Sequence, residues 1–227
     1  MDKLIDTLDR RTAADLVFER LHDDIVSLKC LPGTKLSEAE VAERFGVSRQ
    51  PVRDAFNRLE RMNLLLIRPQ RATRVRGFSM ALIGHARFVR LAVELEVVRS
   101  ACAIWDAERA DILQGNLDAQ GEAIAAGRND TFHDLDYQFH KHICGLSGHP
   151  LAFETIRDCK REIDRLCVLS LGRANETALL RDDHAEITLS LARGDADRAS
   201  DVTRRHLARL ECTIEEIRRT HGEYFED

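Results

Sequence analysis

The chain of 227 residues has little aromatic content, 5%, and only four prolines. Leu, Ala, Arg, Glu and Asp are plentiful instead, a composition that favours helices over a sheet-rich fold. Long apolar runs are missing. The longest aliphatic stretch is Leu64–Ile67, whereas a membrane span needs about 20 apolar residues. The N-terminal residues MDKLIDTLDRR lack the apolar segment of a secretory signal. CxxC pairs are missing too. The six cysteines, at 30, 102, 144, 159, 167 and 212, therefore read as reduced thiols of a cytoplasmic protein rather than as a zinc ribbon or a thioredoxin-type site. With 44% hydrophobic and 32% charged residues, wholesale disorder is excluded.

Net charge is −5, but it is unevenly spread. Residues 1–77 carry 15 Lys+Arg against 12 Asp+Glu, and residues 78–227 carry 19 against 27. Between 44 and 76 there are nine arginines, no lysine and two acids, Asp54 and Glu60. A basic patch on an acidic chain points to a localised polyanion site, and equally fits a solvated helix face.

Residues 12–28 place Ala14, Val17, Leu21, Ile25 and Leu28 at helical spacing. Leu31-Pro32-Gly33 is a stop signal. Ser37 with Glu40 forms a capping-box pattern that starts a second helix, closed by Gly46. Ser48 is positioned to cap a third helix, with Pro51 in its first turn. That helix has an apolar stripe of Val52, Ala55, Phe56 and Leu59, and a polar stripe of Arg49, Gln50, Arg53 and Asn57. Residues 64–67 and 73–75 read as a small hairpin turning through Arg68–Ala72. Beyond Ser79 the pattern is only helical, over about 79–103, 105–126, 131–147, 150–171, 176–193 and 195–221, with breaks at Gly127, Gly148, Gly172 and Gly194. Short breaks make successive helices antiparallel neighbours. The expected fold is mainly α: an N-terminal winged helix-turn-helix over 1–77, and an antiparallel all-α bundle of six or seven helices over 78–227.

A polar second helix after a tight turn fits the major groove, where arginines pair with guanine and amides with adenine. The stretch from Leu31 to Val75 also closely resembles the winged helix-turn-helix of the GntR superfamily of bacterial transcription regulators. Its signature pieces here are Leu36-Ser37-Glu38, Val41-Ala42, Gly46-Val47-Ser48-Arg49, Pro51-Val52-Arg53 and Leu59-Glu60. The resemblance implies operator double-stranded DNA as partner, with Arg49 and Arg53 as principal contacts beside Ser48, Gln50, Asn57 and the hairpin's Arg71 and Arg74. Two departures stand out. Ala39 replaces an arginine common in the family, and Arg71-Ala72 replaces the usual Arg-Gly of the wing tip. Alanine disfavours positive φ and adds a Cβ, which bears on how closely the wing approaches DNA.

In the C-terminal part, Asp136 and His140 share a helix face at i, i+4, and His184 and His206 fall on later helices. Such a carboxylate and three imidazoles suit a first-row metal, while buried histidines also occur merely bonded to neighbours. Residues 79–221 further resemble the FCD ligand-binding domain of the FadR-like branch, through VRLAVELE (89–96), DLDYQFHKHICGLSGHP (134–150), DDHAEITLSLARGDADRA (182–199) and RRHL (204–207). The resemblance implies a divalent transition metal (Zn, Ni, Mn or Fe) held by Asp136, His140, His184 and His206, and a pocket-facing Arg90 that binds the carboxylate of a small organic-acid effector. Arg90 is equally placed to pair with Glu94, one turn on. His149 stands where the family often has Asn. The function expected is a cytoplasmic, homodimeric regulator rather than an enzyme, with no membrane partner. The alternatives are a metal-dependent hydrolase and a regulator whose metal is purely structural.

Overall fold

A computed structural model describes residues 12–170 and 174–226. The chain forms two compact units, Met1–Met80 with Thr220–Asp227, and Ala81–Arg219.

The first unit begins with α1 (Ala13–Val26), capped by a capping box between Thr12 and Asp15. Val17, Leu21 and Ile25 form its buried stripe. The helix ends ahead of Leu31-Pro32-Gly33, because Leu28 already adopts a left-handed φ of 57°. Strand β1 (Lys35–Leu36) leads into α2 (Glu38–Phe45), whose cap Ser37 accepts from the Ala39 N–H at 3.3 Å, one residue earlier than a capping box with Glu40 would use. Gly46, at φ 65°, closes α2 in the left-handed conformation that glycine tolerates. Helix α3 spans Arg49–Arg61 and buries Val52, Ala55, Phe56 and Leu59, the stripe expected from their spacing. Ser48 holds its N-cap position, but the hydroxyl makes no capping bond. Strands β2 (Leu65–Leu66) and β3 (Thr73–Val75) form the hairpin, and β1 joins β3 to give an antiparallel sheet in the order β1-β3-β2. The hydrophobic centre runs from Val17 and Leu21 through Val41, Val52 and Phe56 to Leu65 and Val75. Fully burying a side chain such as Phe56 stabilises the unit by about 1.5–3 kcal/mol.

The C-terminal tail belongs to this unit rather than to the grouping 78–227 read from sequence. Strand β4 (Phe78–Ser79) pairs in parallel with β5 (Phe225–Glu226). The Phe78 and Phe225 rings lie 5.5 Å apart, and the Gly77 N–H donates to Glu226 at 2.9 Å. A Cβ on Gly77 would stand 2.7 Å from the Tyr224 carbonyl oxygen, so only glycine admits this approach.

The second unit is helical: α4 (Met80–Ala103), α5 (Ala107–Ala125), α6 (Asn129–Leu146), α7 (Ala152–Cys167), α8 (Ala174–Ala192) and α9 (Ala196–Thr220). The expected break at Gly172 lies outside the described residues. Helix α5 packs on α6 and α8. The core collects Val97, Val98, Leu113, Leu117, Phe139, Ile143, Ile187 and Val202. No described helix is long and apolar enough to cross a membrane.

Candidate DNA-reading face and metal centre

The apolar stripe of α3 faces the first unit's core, so Arg49, Gln50, Arg53 and Asn57 are turned to the exposed side, with Ser48 at the helix start. Arg53 is not idle: its guanidinium donates to the Glu38 carboxylate at 3.0 and 3.3 Å. Gln50 donates to Asp54 at 3.0 Å. Other arginines of the basic segment have structural partners. Arg58 lies 3.8 Å over the Phe18 ring and donates to Asp15 at 2.7 Å, and Arg44 donates to Asp24 at 2.8 Å. The basic segment is thus partly a set of struts and partly an open face.

In the hairpin, the Arg71 N–H donates to the Arg68 carbonyl at 3.2 Å, and Gln70 between them has φ 59°. Pro69 at the second place and positive φ at the third are the marks of a type II turn. The left-handed residue is therefore Gln70, and Ala72 carries no positive-φ strain. Arg71 and Arg74 are exposed, and Arg74 also donates to the Gly33 carbonyl at 3.3 Å.

The second unit carries a buried polar centre. Asp136 and His140 come from α6, His184 from α8 and His206 from α9, and all four are buried. One candidate ligand atom from each lies within 4.8 Å of the others. Asp136 Oδ1 is 3.4 Å from His184 Nε2 and 3.7 Å from His140 Nε2. Each imidazole has an outer neighbour at Nδ1. Glu94 is 2.8 Å from His140, the Gln120 amide oxygen is 2.9 Å from His184, and Asp183 is 3.8 Å from His206. Asn116 accepts from Gln120 at 2.7 Å and extends that support. Asp183 is itself held by Arg205 and Arg209. Phe139 stacks on His184 at 4.0 Å.

Electrostatics split the three histidines. Burial drives the His184 pKa down to about 3, against the pull of Asp136, and burial lowers that of His206 as well. Burial opposes charge on His140 too, but the Glu94 and Asp136 carboxylates outweigh it and raise its pKa. Burial would likewise raise Asp136, yet Lys160 and the neighbouring imidazoles hold it well below the usual carboxylate range.

The donor set fits a divalent transition metal on its own evidence. His184 Nε2, 3.4 Å from Asp136, is buried without a hydrogen-bond partner among the described residues, as is His206 Nδ1 on its Asp183 side. Orphaned imidazole nitrogens in a dry core are rare and costly, and beside a carboxylate they make an N/O ligand set.

Two cations border the cluster. Arg90 bonds to Glu94, as its spacing allowed, and its Nη2 is also 3.2 Å from His140 Nε2. Lys160 on α7 is buried, donates to Asp136 and lies 4.3 Å over the Tyr137 ring. Arg90 further lines a groove of about 370 Å³ with Gly84, Arg87, Ile163, Arg204 and Glu211. Sequence reasoning missed Lys160 and Gln120. Their signal was available: Lys160 interrupts a buried stripe between Ile156 and Ile163, as Gln120 does between Leu117 and Ala123.

Comparison with known proteins places these features. Residues 13–75 match the model of bacterial regulatory proteins of the gntR family, and residues 86–209 match that of the FCD domain. The HTH-type transcriptional repressor RspR of Escherichia coli (strain K12) is 34% identical over 211 residues, covering 93% of this chain and 92% of that protein. An HTH-type regulator in an unstable DNA locus of Streptomyces ambofaciens is 32% identical over 219 residues, covering 95% and 90%. Among solved structures, E. coli McbR/YncC superposes with a TM-score of 0.69 at 19% identity, covering 91% of this chain and 98% of that one. A GntR regulator from Rhodococcus sp. RHA1 gives the same TM-score at 24% identity, covering 89% and 97%. The relatives and families are transcriptional regulators, not enzymes.

Proposed function

The chain belongs to the gntR family of bacterial transcriptional regulators, in the group with an FCD domain, and from this premise we propose a cytoplasmic homodimer that binds operator DNA under the control of a metal-dependent small-molecule effector. One winged helix reads only a half-site, so two copies are needed for a palindromic operator. Ser48, Arg49, Gln50, Arg53 and Asn57 address base edges and phosphates in the major groove, while Arg71 and Arg74 of the hairpin lie along the adjoining backbone. In the second unit, Asp136, His140, His184 and His206 hold a divalent transition metal, Zn, Ni, Mn or Fe. When bound, such an ion supplies a Lewis acid to which the oxygens of a small organic acid can coordinate. Arg90 pairs with the acid's carboxylate, an arginine's fork being matched to that geometry. Effector binding biases the equilibrium between operator-competent and operator-incompetent states.

The observation that carries this reading is the meeting of four buried ligand groups, with His184 Nε2 orphaned beside the Asp136 carboxylate, next to a buried arginine that also lines a groove. The test is fluorescence anisotropy on DNA from upstream of the chain's own gene, against scrambled DNA, at several salt concentrations and with metal and acids added. Tight, competitor-resistant binding with a steep salt slope that an acid shifts only in the presence of metal is expected. Binding that is weak and equal on both DNAs under every addition would sink it.

A second reading, a purely structural metal, has one observation in its favour. The void beside His140 and Glu94 is only about 10 Å³, too small for an acid without side-chain movement. A structural site stabilises the fold but leaves operator affinity indifferent to acids.

A further inference from the structure

The buried centre has a charge balance that constrains its ligand. Among the described residues, the charged groups touching the four-residue cluster are Arg90 and Lys160 on one side and Glu94 and Asp136 on the other. They sum to zero. Asp183, at the edge by His206, is already matched by Arg205 and Arg209. With neutral imidazoles as ligands, a divalent ion leaves this pocket with two uncompensated positive charges. Asp136 turns Oδ1 to the imidazoles and Oδ2 to Lys160, so an ion on Oδ1 makes its single negative charge serve both the ion and the buried ammonium. Buried charges without partners are strongly disfavoured.

We propose that Lys160 acts with Arg90 as a second anion-binding residue, so that the metal-loaded centre selects a small dianion, a dicarboxylate or a phosphate-type anion, over a monoanion. This rests on the metal and effector reading above and deepens it. A dianion restores neutrality, whereas a monocarboxylate leaves one buried positive charge. The groove of about 370 Å³ lined by Arg87, Arg90, Ile163 and Arg204 supplies the approach, and its volume suits a small acid. Arg87 is paired with Glu211 there, and Arg204 adds one further positive side chain that favours anions.

The test uses the full-length protein and Zn²⁺. Chelator competition measures Zn²⁺ affinity of wild type, Lys160→Met and Lys160→Arg without any acid. Removing a cation that competes for Asp136 should tighten Zn²⁺ binding about tenfold or more, the scale of neighbours just outside a metal's ligands, while Lys160→Arg stays near wild type. Calorimetry then compares succinate with its monoamide succinamate, and both with inorganic phosphate, on the Zn²⁺-loaded protein. Wild type should prefer a dianion by about tenfold or more, and Lys160→Met should lose that preference; succinate against phosphate tells which anion chemistry the site takes. Unchanged or weaker Zn²⁺ binding by Lys160→Met, equal binding of succinate and succinamate by wild type, or no binding of either dianion overturns the proposal. If Lys160→Met does not fold, the wild-type acid comparison decides alone. Failure of wild type to bind Zn²⁺ at all is a different outcome and removes the metal reading itself.

Discussion

Replacing Gln120 by leucine probes the buried centre from a residue that an ion would never touch. Gln120 is fully buried on α5. Its amide oxygen accepts from His184 Nδ1 at 2.9 Å and its amide nitrogen donates to Asn116 at 2.7 Å. Those two bonds put the His184 proton on Nδ1 and leave Nε2 bare beside Asp136. Leucine fills similar space but strands the His184 N–H and the Asn116 oxygen. Each stranded buried group costs about 1–3 kcal/mol, so the variant should lose roughly 2–6 kcal/mol out of a typical 5–15. It should still fold, at a lower urea midpoint. A second loss is specific to the metal. Without Gln120 the imidazole is no longer oriented, and losing such a neighbour lowers metal affinity about 10–100-fold, or about 1.4–2.7 kcal/mol. Urea unfolding with and without Zn²⁺ separates the two effects. At a concentration 100 times the wild-type Kd, Zn²⁺ should add about 2.7 kcal/mol to wild type and much less to Gln120→Leu. Gln120→Glu keeps an acceptor for Nδ1 and should regain most of the Zn²⁺ effect. Equal Zn²⁺-induced stabilisation of wild type and Gln120→Leu would refute the idea that Gln120 aims a ligand.

Further predictions concern the first unit. The exposed Arg53–Glu38 pair is worth about 0–1 kcal/mol, so Glu38→Gln should free Arg53 and raise operator affinity up to a few-fold with little change in the melt. Arg53→Ala should lower operator affinity by about 1–3 kcal/mol, and unchanged anisotropy would remove Arg53 from the contact set. The Asp15 pKa is lowered to about 2 by bonds from Thr12 and Arg58. Its folded value is depressed, so its contribution is present above the unfolded pKa of about 3.9 and is lost as pH falls toward 2. Melts of Asp15→Asn between pH 5 and 2 should lack that part of the acid sensitivity. Gly77→Ala drives a Cβ against the Tyr224 carbonyl and should release β5, which hydrogen exchange at Phe225 and Glu226 will read as lost protection.

What the sequence made legible followed local periodicity. The α3 stripe was readable because Val52, Ala55, Phe56 and Leu59 repeat at helical spacing and pack as a single face. Gly127, Gly148 and Gly194 marked helix ends because each takes a left-handed φ there. Strands β1 and β5 were not readable: two residues show no alternation, and β5 pairs with a segment nearly 150 residues away. At the centre, only Asp136 and His140 were joined by spacing. The addition of His184 and His206 came from family resemblance, since spacing within a helix says nothing about which helices converge. Lys160 and Gln120 were passed over because one polar residue on an apolar stripe looks like a defect until its partner on another helix is seen.

That convergence gives the centre contacts with the whole helical unit. On the exposed face of α3, Arg53 sits in a pair with Glu38 that breaks at little cost. The buried centre is different in kind. Arg90 and Glu94 come from α4, Gln120 from α5, Asp136 and His140 from α6, Lys160 from α7, His184 from α8 and His206 from α9. Every helix of the second unit contributes a side chain, and two nitrogens among them have no partner. A polar network left partly unsatisfied in a low-dielectric core is unstable at full packing. Whatever completes it gains from all six helices at once, and its binding energy is therefore tied to one arrangement of them. An exposed site on a single helix would have no such hold on the bundle. Alpha9 carries His206 and runs on in sequence to β5, which pairs with β4 beside the winged unit's sheet-forming segment. Releasing β5 with Gly77→Ala should leave ligand binding at the centre intact, because none of the centre's side chains comes from the tail, and calorimetry on the Zn²⁺-loaded variant checks it.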